Sequence, residues 1–451
     1  MFQRLRTIAE SIRSSLWFWP VLMTSTAVAL AQGAILLDQS GWIGRQQHLA
    51  RVTDAFGATW LFGAGADGAR SLLATIAGSM ITIAATVFSI TIVALSLAAG
   101  QLGPRLLRTF MRDRGTQLSL GMFIATFAFC IVVLGVVNSS GAASFVPKVS
   151  VTAALALSLT SLGVLIYFIH HVATTIQAPE VIAVVGDELE HAIEELFPQQ
   201  VGAGVPDDAQ ARTPPVMTGT AGAEVRACAS GYVQHIDAEA LVELATQADT
   251  VIGLERRPGD HVIAGTVIAR IWPQAKCTDT LCVQVHATMD VGAVRTPVQD
   301  VQFLINQLVE IAQRALSPGI NDPSTAEACI DRLGVALGQL AQRRTPSPVR
   351  FDASGEPRLV VARADTFKSL LDATFDPIRN YSGGCLQVSV RLAQLLSELA
   401  QLVAGDEQRQ ALLEQALMIQ RGAQDLHEIR DRQRVEDACR RAVSALQRAK
   451  A

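Results

Sequence analysis

The sequence predicts a multi-pass α-helical membrane protein with a cytoplasmic α+β region, in which a small β-module is followed by a helical bundle. Three observations carry this reading. Half of the 451 residues are hydrophobic and only 17% are charged, where soluble domains run nearer a quarter charged. Residues 1–170 hold 11 Lys and Arg against 5 Asp and Glu, a net of +6, while residues 171–451 hold 26 against 36, a net of −10. The first part also contains four stretches without Asp, Glu, Lys, Arg or His: Ser14–Leu37, Ser71–Pro104, Gly115–Pro147 and Val149–Ile169. Each supplies the ~20 apolar residues a helix needs to cross ~30 Å of hydrocarbon with its backbone groups satisfied internally. The same composition excludes disorder, a collagen and a whole-chain coiled coil. Seven cysteines without a regular framework exclude a secreted disulfide scaffold.

Taken in order, residues 1–178 form the transmembrane domain, with helices at about 15–37, 71–99, 118–137 and 150–170. Trp17, Trp19, Trp42 and Trp60 fall near span ends or in a connecting loop, where an interfacial aromatic belt sits. Orientation follows the basic residues of short loops. Arg4, Arg6 and Arg13 precede the first span, and Arg105, Arg108, Arg112 and Arg114 follow the second. The opposite loops offer Arg45, Arg51, Arg70 at an edge, and Lys148, so both termini are expected to be cytoplasmic. Ala29-Leu30-Ala31 resembles a signal-peptide cleavage site, but Ala34–Leu37 continues the apolar run and favours an uncleaved helix.

The second span carries a pattern. Thr75, Ser79, Thr82, Thr86, Ser89 and Ser96 recur at alternating spacings of four and three, with Val93 in the gap. This is a heptad seam made of small hydroxyl residues. One reading has several copies of the helix surrounding a hydroxyl-lined path. The other has these side chains bonding their own i−4 carbonyls or joining neighbouring helices. Gly100-Gln-Leu-Gly103-Pro104 then breaks or kinks the helix. Beyond it Arg105, Arg108 and Arg112 share one face of a short amphipathic segment, suited to anionic lipid headgroups or, in a pore, to a cationic vestibule favouring anions. His170 and His171 close the fourth span. Adjacent on a helix, they diverge by about 100° and make poor joint ligands for one metal. Interface anchoring or carbonyl capping is the expected role, with a proton-responsive switch as the alternative.

Residues 179–222 read as a helix with a solvated acidic side (Asp187, Glu188, Glu190, Glu194, Glu195) and a linker. Residues 223–296 read as a β-rich module, with strands at Ser230–Asp237, Val251–Glu255, His261–Ile263 and Thr266–Trp272. The run Pro258–Ile268 resembles half of a biotinyl/lipoyl-like barrel, yet no lysine stands on an exposed hairpin to carry a cofactor; Lys276 lies in unrelated context. Cys277, Cys282 and His286 lack the fourth ligand and the spacing of a zinc site, so buried or half-buried thiols are expected. Residues 297–451 are mainly helical. Val301, Leu304, Ile305, Leu308 and Ile311 mark a buried face. After them, Ser317-Pro-Gly-Ile-Asn321-Asp322-Pro323 reads as a tight turn, an N-cap and a first-turn proline. A hairpin is expected at Val349–Ala362, with helices at about Asp365–Phe375, Leu386–Val403, Asp406–Arg421 and Gln424–Arg448. At net −10 this half opposes nucleic-acid binding.

Several segments together resemble a family of bacterial multi-pass membrane proteins, domain-of-unknown-function family 2254. They are Ser14–Pro20, Ala77–Arg105, the Tyr167–Gln177 stretch with His170 and His171, the run Arg295-Thr-Pro-Val-Gln299-Asp300, and Arg314–Ala326 around Ser317, Asn321 and Asp322. The resemblance covers nearly the whole chain and implies an inner-membrane location. It brings no activity, cofactor or established site residues. Val294 departs from the acidic residue expected before Arg295, which weakens an ion pair there.

Function is read partly from missing parts. The chain holds no GxxxxGK[ST], HExxH, GxSxG, paired CxxC or dinucleotide fingerprint. The uncharged spans offer no carboxylate or basic residue for proton- or sodium-coupled transport. No enzyme and no cofactor are therefore expected, and a hydrolase built on His235, Asp237 or His261 lacks a placed nucleophile. The leading expectation is a homo-oligomer in the lipid bilayer whose second span lines an ion or small-solute path, with the cytoplasmic part assembling or gating it. The alternative is a membrane-anchored sensor or scaffold that binds a ligand or partner without permeation.

Overall fold

A computed structural model describes residues 17–40, 65–103, 113–137, 145–175, 177–197, 222–343, 347–361 and 365–448. The chain forms two compact units, Met1–Glu180 and Val181–Ala451.

Among the described residues, the first unit holds four helices long and apolar enough to cross a membrane: α1 (Phe18–Ser40), α2 (Gly65–Leu102), α3 (Arg114–Leu134) and α4 (Lys148–Thr175). α3 is the hub, packing against the other three. Half of its apolar window is buried, against about a fifth in each of the others. Close approach of α1 to α3 depends on Gly121, where a Cβ would meet the Met23 sulfur at 2.7 Å and the Pro20 backbone at 3.3 Å.

Polar ties sit at three levels of this unit. Asp38, in the last turn of α1, accepts hydrogen bonds from the Val149 and Ser150 amides at 3.0 Å and from the Ser150 hydroxyl at 2.8 Å. It thus supplies, from another helix, the cap that the free N–H groups at the start of α4 require. Thr126 and Ser161, both fully buried, share a hydrogen bond of 3.0 Å between α3 and α4. Asp113 caps α3 through the Gly115 and Thr116 amides and meets His171 of α4 at 2.8 Å.

These ties explain shifts from the expected spans. α3 starts at Arg114 rather than 118 because Asp113 caps it, and it ends at Leu134 before Gly135. α2 begins six residues before the uncharged stretch, with Asp67 in its first turn, where a carboxylate favours the helix dipole. At ~1.5 Å per residue its 38 residues extend about 57 Å, well beyond one hydrocarbon thickness.

The second unit opens with α5 (Ala178–Leu196), whose Val181, Ile182, Val185, Leu189 and Ile193 are buried. Strands and helices then alternate: β1 (Ala223–Arg226), β2 (Gly231–Ile236), α6 (Ala238–Gln247), β3 (Val251–Leu254), β4 (His261–Val262), β5 (Val267–Trp272), α7 (Asp279–Ala287) and β6 (Met289–Gly292). After them come α8 (Val301–Ala315), α9 (Pro323–Ala341), β7 (Val349–Phe351), β8 (Pro357–Val361), α10 (Phe367–Tyr381), α11 (Leu386–Leu399), α12 (Asp406–Gly422) and α13 (Ile429–Arg448). The strands form a five-stranded sheet in the order β1-β5-β3-β8-β7 and a three-stranded sheet in the order β4-β2-β6. β8 runs parallel to β3, with Ile252 opposite Leu359, and the other pairings are antiparallel.

Three readings are corrected here. The Val349–Val361 hairpin completes the sheet begun by β3 and β5, so residues 223–296 do not close a module by themselves. The Pro258–Ile268 run is split, β4 pairing with β2 and β5 with β1 and β3, which is not a half-barrel. The acidic side of α5 is not simply solvated. Arg332 of α9 lies 3.3 Å from Asp187 and 3.4 Å from Glu190, and Gln339 donates to Glu190 at 3.3 Å. Arg343 donates to the Phe197 carbonyl at 2.7 Å and the Ile193 carbonyl at 3.3 Å, closing the end of α5. The helix α7, capped by the Thr278 hydroxyl, was not legible in its Cys-, Val- and Thr-rich sequence.

Candidate functional site

The hydroxyl row of α2 lies outside its own bundle. Ala69, Leu73, Ile76, Ala77, Met80, Ala84, Val87 and Ala98 are the buried residues of α2. Thr75, Ser79, Thr82, Thr86, Ser89 and Ser96 are all exposed. At ~100° per residue the row is centred about 155° from the buried face. Thr75, Thr82 and Thr86 donate to the carbonyls of Ser71, Gly78 and Thr82 at 2.8–3.0 Å. Each hydroxyl then keeps lone pairs as acceptors. Ser79, Ser89 and Ser96 have no hydrogen-bond partner among the described residues. Gly78, beside the row, leaves space where a Cβ would meet nothing within 4 Å. The arrangement is a smooth, oxygen-bearing strip directed away from the chain's own core. Arg105, Arg108 and Arg112 lie outside the described residues.

The two histidines part company. His170 is exposed, whereas His171 bonds Asp113 through Nε2, stacks on Tyr167 with ring centroids 5.3 Å apart, and lies 3.5 Å from the Thr175 hydroxyl through Nδ1. Gly115 admits the imidazole: a Cβ there would stand 2.4 Å from Nε2. His171 therefore ties α4 to the cap of α3, not to its own last carbonyls. Asp113 was missed in the sequence, although an Asp three residues before Thr116 at the head of an apolar stretch is an N-cap signal.

The Arg295–Asp300 run is an internal clamp. Arg295 meets Asp300 through two bonds of 2.6 and 3.0 Å and lies over the Phe303 ring at 5.9 Å. The acid it needs is thus five residues after it, and Val294 costs it nothing. Asp300, only 3% exposed, also caps α8 through the Phe303 amide. Gln299, at φ +56°, accepts from the Ile236 amide at 3.0 Å and donates to the Ile236 carbonyl at 3.2 Å, extending β2 with a side chain. Arg257 binds Asp365 and donates to the side-chain Oε1 of Gln302 at 2.7 Å. Burial pushes the Asp365 carboxyl above the usual range, against the pull of Arg257.

The Ser317–Pro323 loop forms the corner between α8 and α9. The Ser317 hydroxyl donates to the Arg314 carbonyl at 2.6 Å, and the Ile320 and Asn321 amides return to the Ser317 carbonyl. Asn321 takes φ +49°, a conformation its short polar side chain tolerates. Asp322 caps α9, accepting from the Thr325 amide at 3.1 Å and hydroxyl at 2.6 Å. Beside this loop opens a groove of about 820 Å³, lined among others by Asn321, Tyr381, Gly384, Arg391 and Arg434. Cys277 and Cys282 face each other with sulfurs 3.3 Å apart. No group of three or more metal-ligating side chains occurs among the described residues. His235, Asp237 and His261 are not brought to a nucleophile; the Asp237 carboxylate caps α6 and His261 packs edge-on to Tyr232.

The match to known proteins now has a geometry to attach to. Residues 13–398 match the family described as predicted membrane protein, DUF2254. The chain belongs to this family. An uncharacterized protein of Mycobacterium bovis and one of Mycobacterium tuberculosis are each 33% identical to it over 459 residues, covering 99% of this chain and 84% of theirs. No solved structure matches it. In this DUF2254 chain, three of the five sequence segments that carry the family likeness hold the clamp at Arg295–Asp300, the Ser317–Pro323 corner and His171, the partner of Asp113.

Proposed function

We propose that this DUF2254 chain acts as a non-enzymatic integral protein of the bacterial inner membrane, with both termini cytoplasmic. Copies of it meet along the hydroxyl face of α2, and that face lines a path for an ion or small solute. The observation that carries the reading is the outward position of the row. Six hydroxyl residues share one exposed face, and three of them, Ser79, Ser89 and Ser96, have no side-chain partner among the described residues. Lipid tails offer such groups nothing, and interhelical contact or water satisfies them. Because Thr75, Thr82 and Thr86 spend their protons on the backbone, the face is rich in acceptors, which suits water and cations better than anions. The second unit would then assemble or gate the path.

The test is purified full-length protein in planar bilayers, with Thr86→Val and Ser89→Leu as variants. Expected are cation-preferring currents that both substitutions reduce. Absence of current from pure wild-type protein, or currents indifferent to both substitutions, overturns the reading. A second reading, a membrane-anchored sensor, is favoured by one observation: the groove beside the Ser317–Pro323 corner, with the exposed Tyr381 ring and Arg434 on its walls. Saturable binding of a cytosolic small anion, abolished by Arg434→Ala and without any current, would favour it.

A further inference from the structure

Of the seven cysteines, all reduced, Cys130, Cys329 and Cys439 are buried, Cys228 is exposed, and Cys277, Cys282 and Cys385 lie between. Cys277 and Cys282 alone among the described residues bring two sulfurs together, at 3.3 Å. A disulfide needs ~2.05 Å, so about 1.3 Å of approach separates the pair from a bond. The backbone already holds both ends. The Cys277 amide bonds the Gln274 carbonyl at 3.1 Å, closing the short 3₁₀ turn after β5. The Cys282 amide bonds the Thr278 carbonyl at 3.0 Å, one turn into α7, while the Thr278 hydroxyl caps that helix at Leu281. Both thiols pack on the core of the β-rich part, half-buried and still reachable. Lys276, next to the pair, holds Asp249, which Arg358 of β8 also binds, so the corner is braced against the five-stranded sheet.

We propose that Cys277 and Cys282 are a redox-active dithiol that closes to an intramolecular disulfide by exchange with a low-molecular-weight disulfide. The Cys282 thiolate attacks one sulfur of the small disulfide, forming a mixed disulfide and expelling one thiolate, which takes up a proton. Cys277 loses its proton and attacks the Cys282 sulfur, expelling the second small thiol. The two protein thiols lose two electrons together, and the small disulfide gains them as two thiols. The order follows from the environment: burial, the neighbouring Cys282 and the Asp279 charge push the Cys277 thiol up to about 11, so it is the slow first nucleophile. Two units above the ordinary value cut its thiolate ~100-fold, and the nucleophilicity gained returns ~10-fold, leaving about a tenfold deficit.

The experiment uses the full-length protein in detergent, treated with oxidised glutathione until Cys228 is fully modified, then with an alkylating agent, and digested with trypsin. Cleavage after Lys276 and Arg295 releases one peptide holding both cysteines and no other. Expected is a peptide two hydrogens lighter and unalkylated, with mixed disulfide below about a tenth of it, because closure within the chain outruns a second intermolecular step. In Cys277→Ser the mixed disulfide should accumulate on Cys282. In Cys282→Ser, Cys277 should react more slowly than an ordinary cysteine, by less than tenfold, because burial and the Asp279 charge remain while the Cys282 contribution is gone. If the wild-type peptide instead carries two alkyl groups, or separate mixed disulfides on both cysteines, while Cys228 is modified, the proposal is wrong. That readout is independent of any current or ligand.

Discussion

Replacing Arg343 with Met should free the last turn of α5 while leaving its first turns in place. Arg343 is 8% exposed and gives a 2.7 Å bond to the Phe197 carbonyl and a 3.3 Å bond to the Ile193 carbonyl. It also lies 3.6 Å from the exposed Glu194. The carbonyls at a helix end have no partner within the helix, so the Phe197 carbonyl depends on the guanidinium, while the Ile193 carbonyl also accepts from the Phe197 amide at 2.9 Å. A hydrogen bond from a charged donor contributes ~1.5–3 kcal/mol. One short and one long bond, with little from the exposed Glu194, give about 2–3 kcal/mol in total. Met keeps the apolar stem and removes the donors. At ~1.4 kcal/mol per factor of ten, local opening at the Phe197 amide should rise roughly 30- to 150-fold. Hydrogen exchange of the full chain in detergent, read by mass spectrometry over 178–197, measures this directly. The first turns, held by Arg332 and Gln339 at Asp187 and Glu190, serve as the internal reference. Unchanged exchange at the last turn, or an equal rise along the whole helix, would refute the capping argument.

Asp38→Ala removes three bonds from the start of α4 and should cost about 1–2 kcal/mol, the range of a lost N-cap, seen as a lower melting temperature in detergent. Gly121→Val places a side chain against the Pro20 backbone, and a cysteine pair across α1 and α3 should crosslink far less readily in that background than with glycine retained. Hydrogen bonds from the Thr325 hydroxyl and amide hold the Asp322 carboxyl below its ordinary value. A depressed acid contributes stability that is complete above its unfolded value and is lost as pH falls through its folded one. Protection of the first turn of α9 should therefore weaken on acidification below the usual carboxylate range, and Asp322→Asn should flatten that slope; an equal slope in the variant would assign it to other groups. Arg295→Lys keeps the charge but loses the two-point contact with Asp300, so it should destabilise the second unit to chemical denaturant, with Asp300→Asn giving no large additional loss in the double variant.

What the sequence made legible followed from strong periodic signals. Four uncharged stretches correspond to four long apolar helices, and the buried face of Val301, Leu304, Ile305, Leu308 and Ile311 is the buried face of α8. Asp322 and Pro323 stand where a helix start requires them. The misses are long-range pairings, which local patterns do not encode. Asp38 caps a helix 111 positions away; Arg343 closes one 146 positions earlier; β8 enters a sheet whose neighbouring strand β3 lies more than a hundred residues before it. The acidic side of α5 looked solvated because its basic partners belong to α9.

The same distinction bears on the hydroxyl row. In the first unit, the polar groups the chain uses for its own fold find partners inside it: Asp38 with Ser150, Thr126 with Ser161, Asp113 with His171. On the other helices, the exposed Thr26 and Thr160 return their protons to the backbone, while the exposed Ser25 has no side-chain partner among the described residues. The row on α2 differs because its six hydroxyls are aligned and outward, and three of them have no partner among the described residues. A row that served only to relieve local backbone strain would not need a common face, and a row that held this bundle together would point inward. Alignment on the outer face is what contact with other copies around water requires. Placing single cysteines at Ser79 and Ser89 therefore separates the cases: reaction with a water-borne thiol reagent in liposomes supports a hydrated interface, and reaction confined to a lipid-phase reagent returns the row to the acyl chains and removes the basis for permeation.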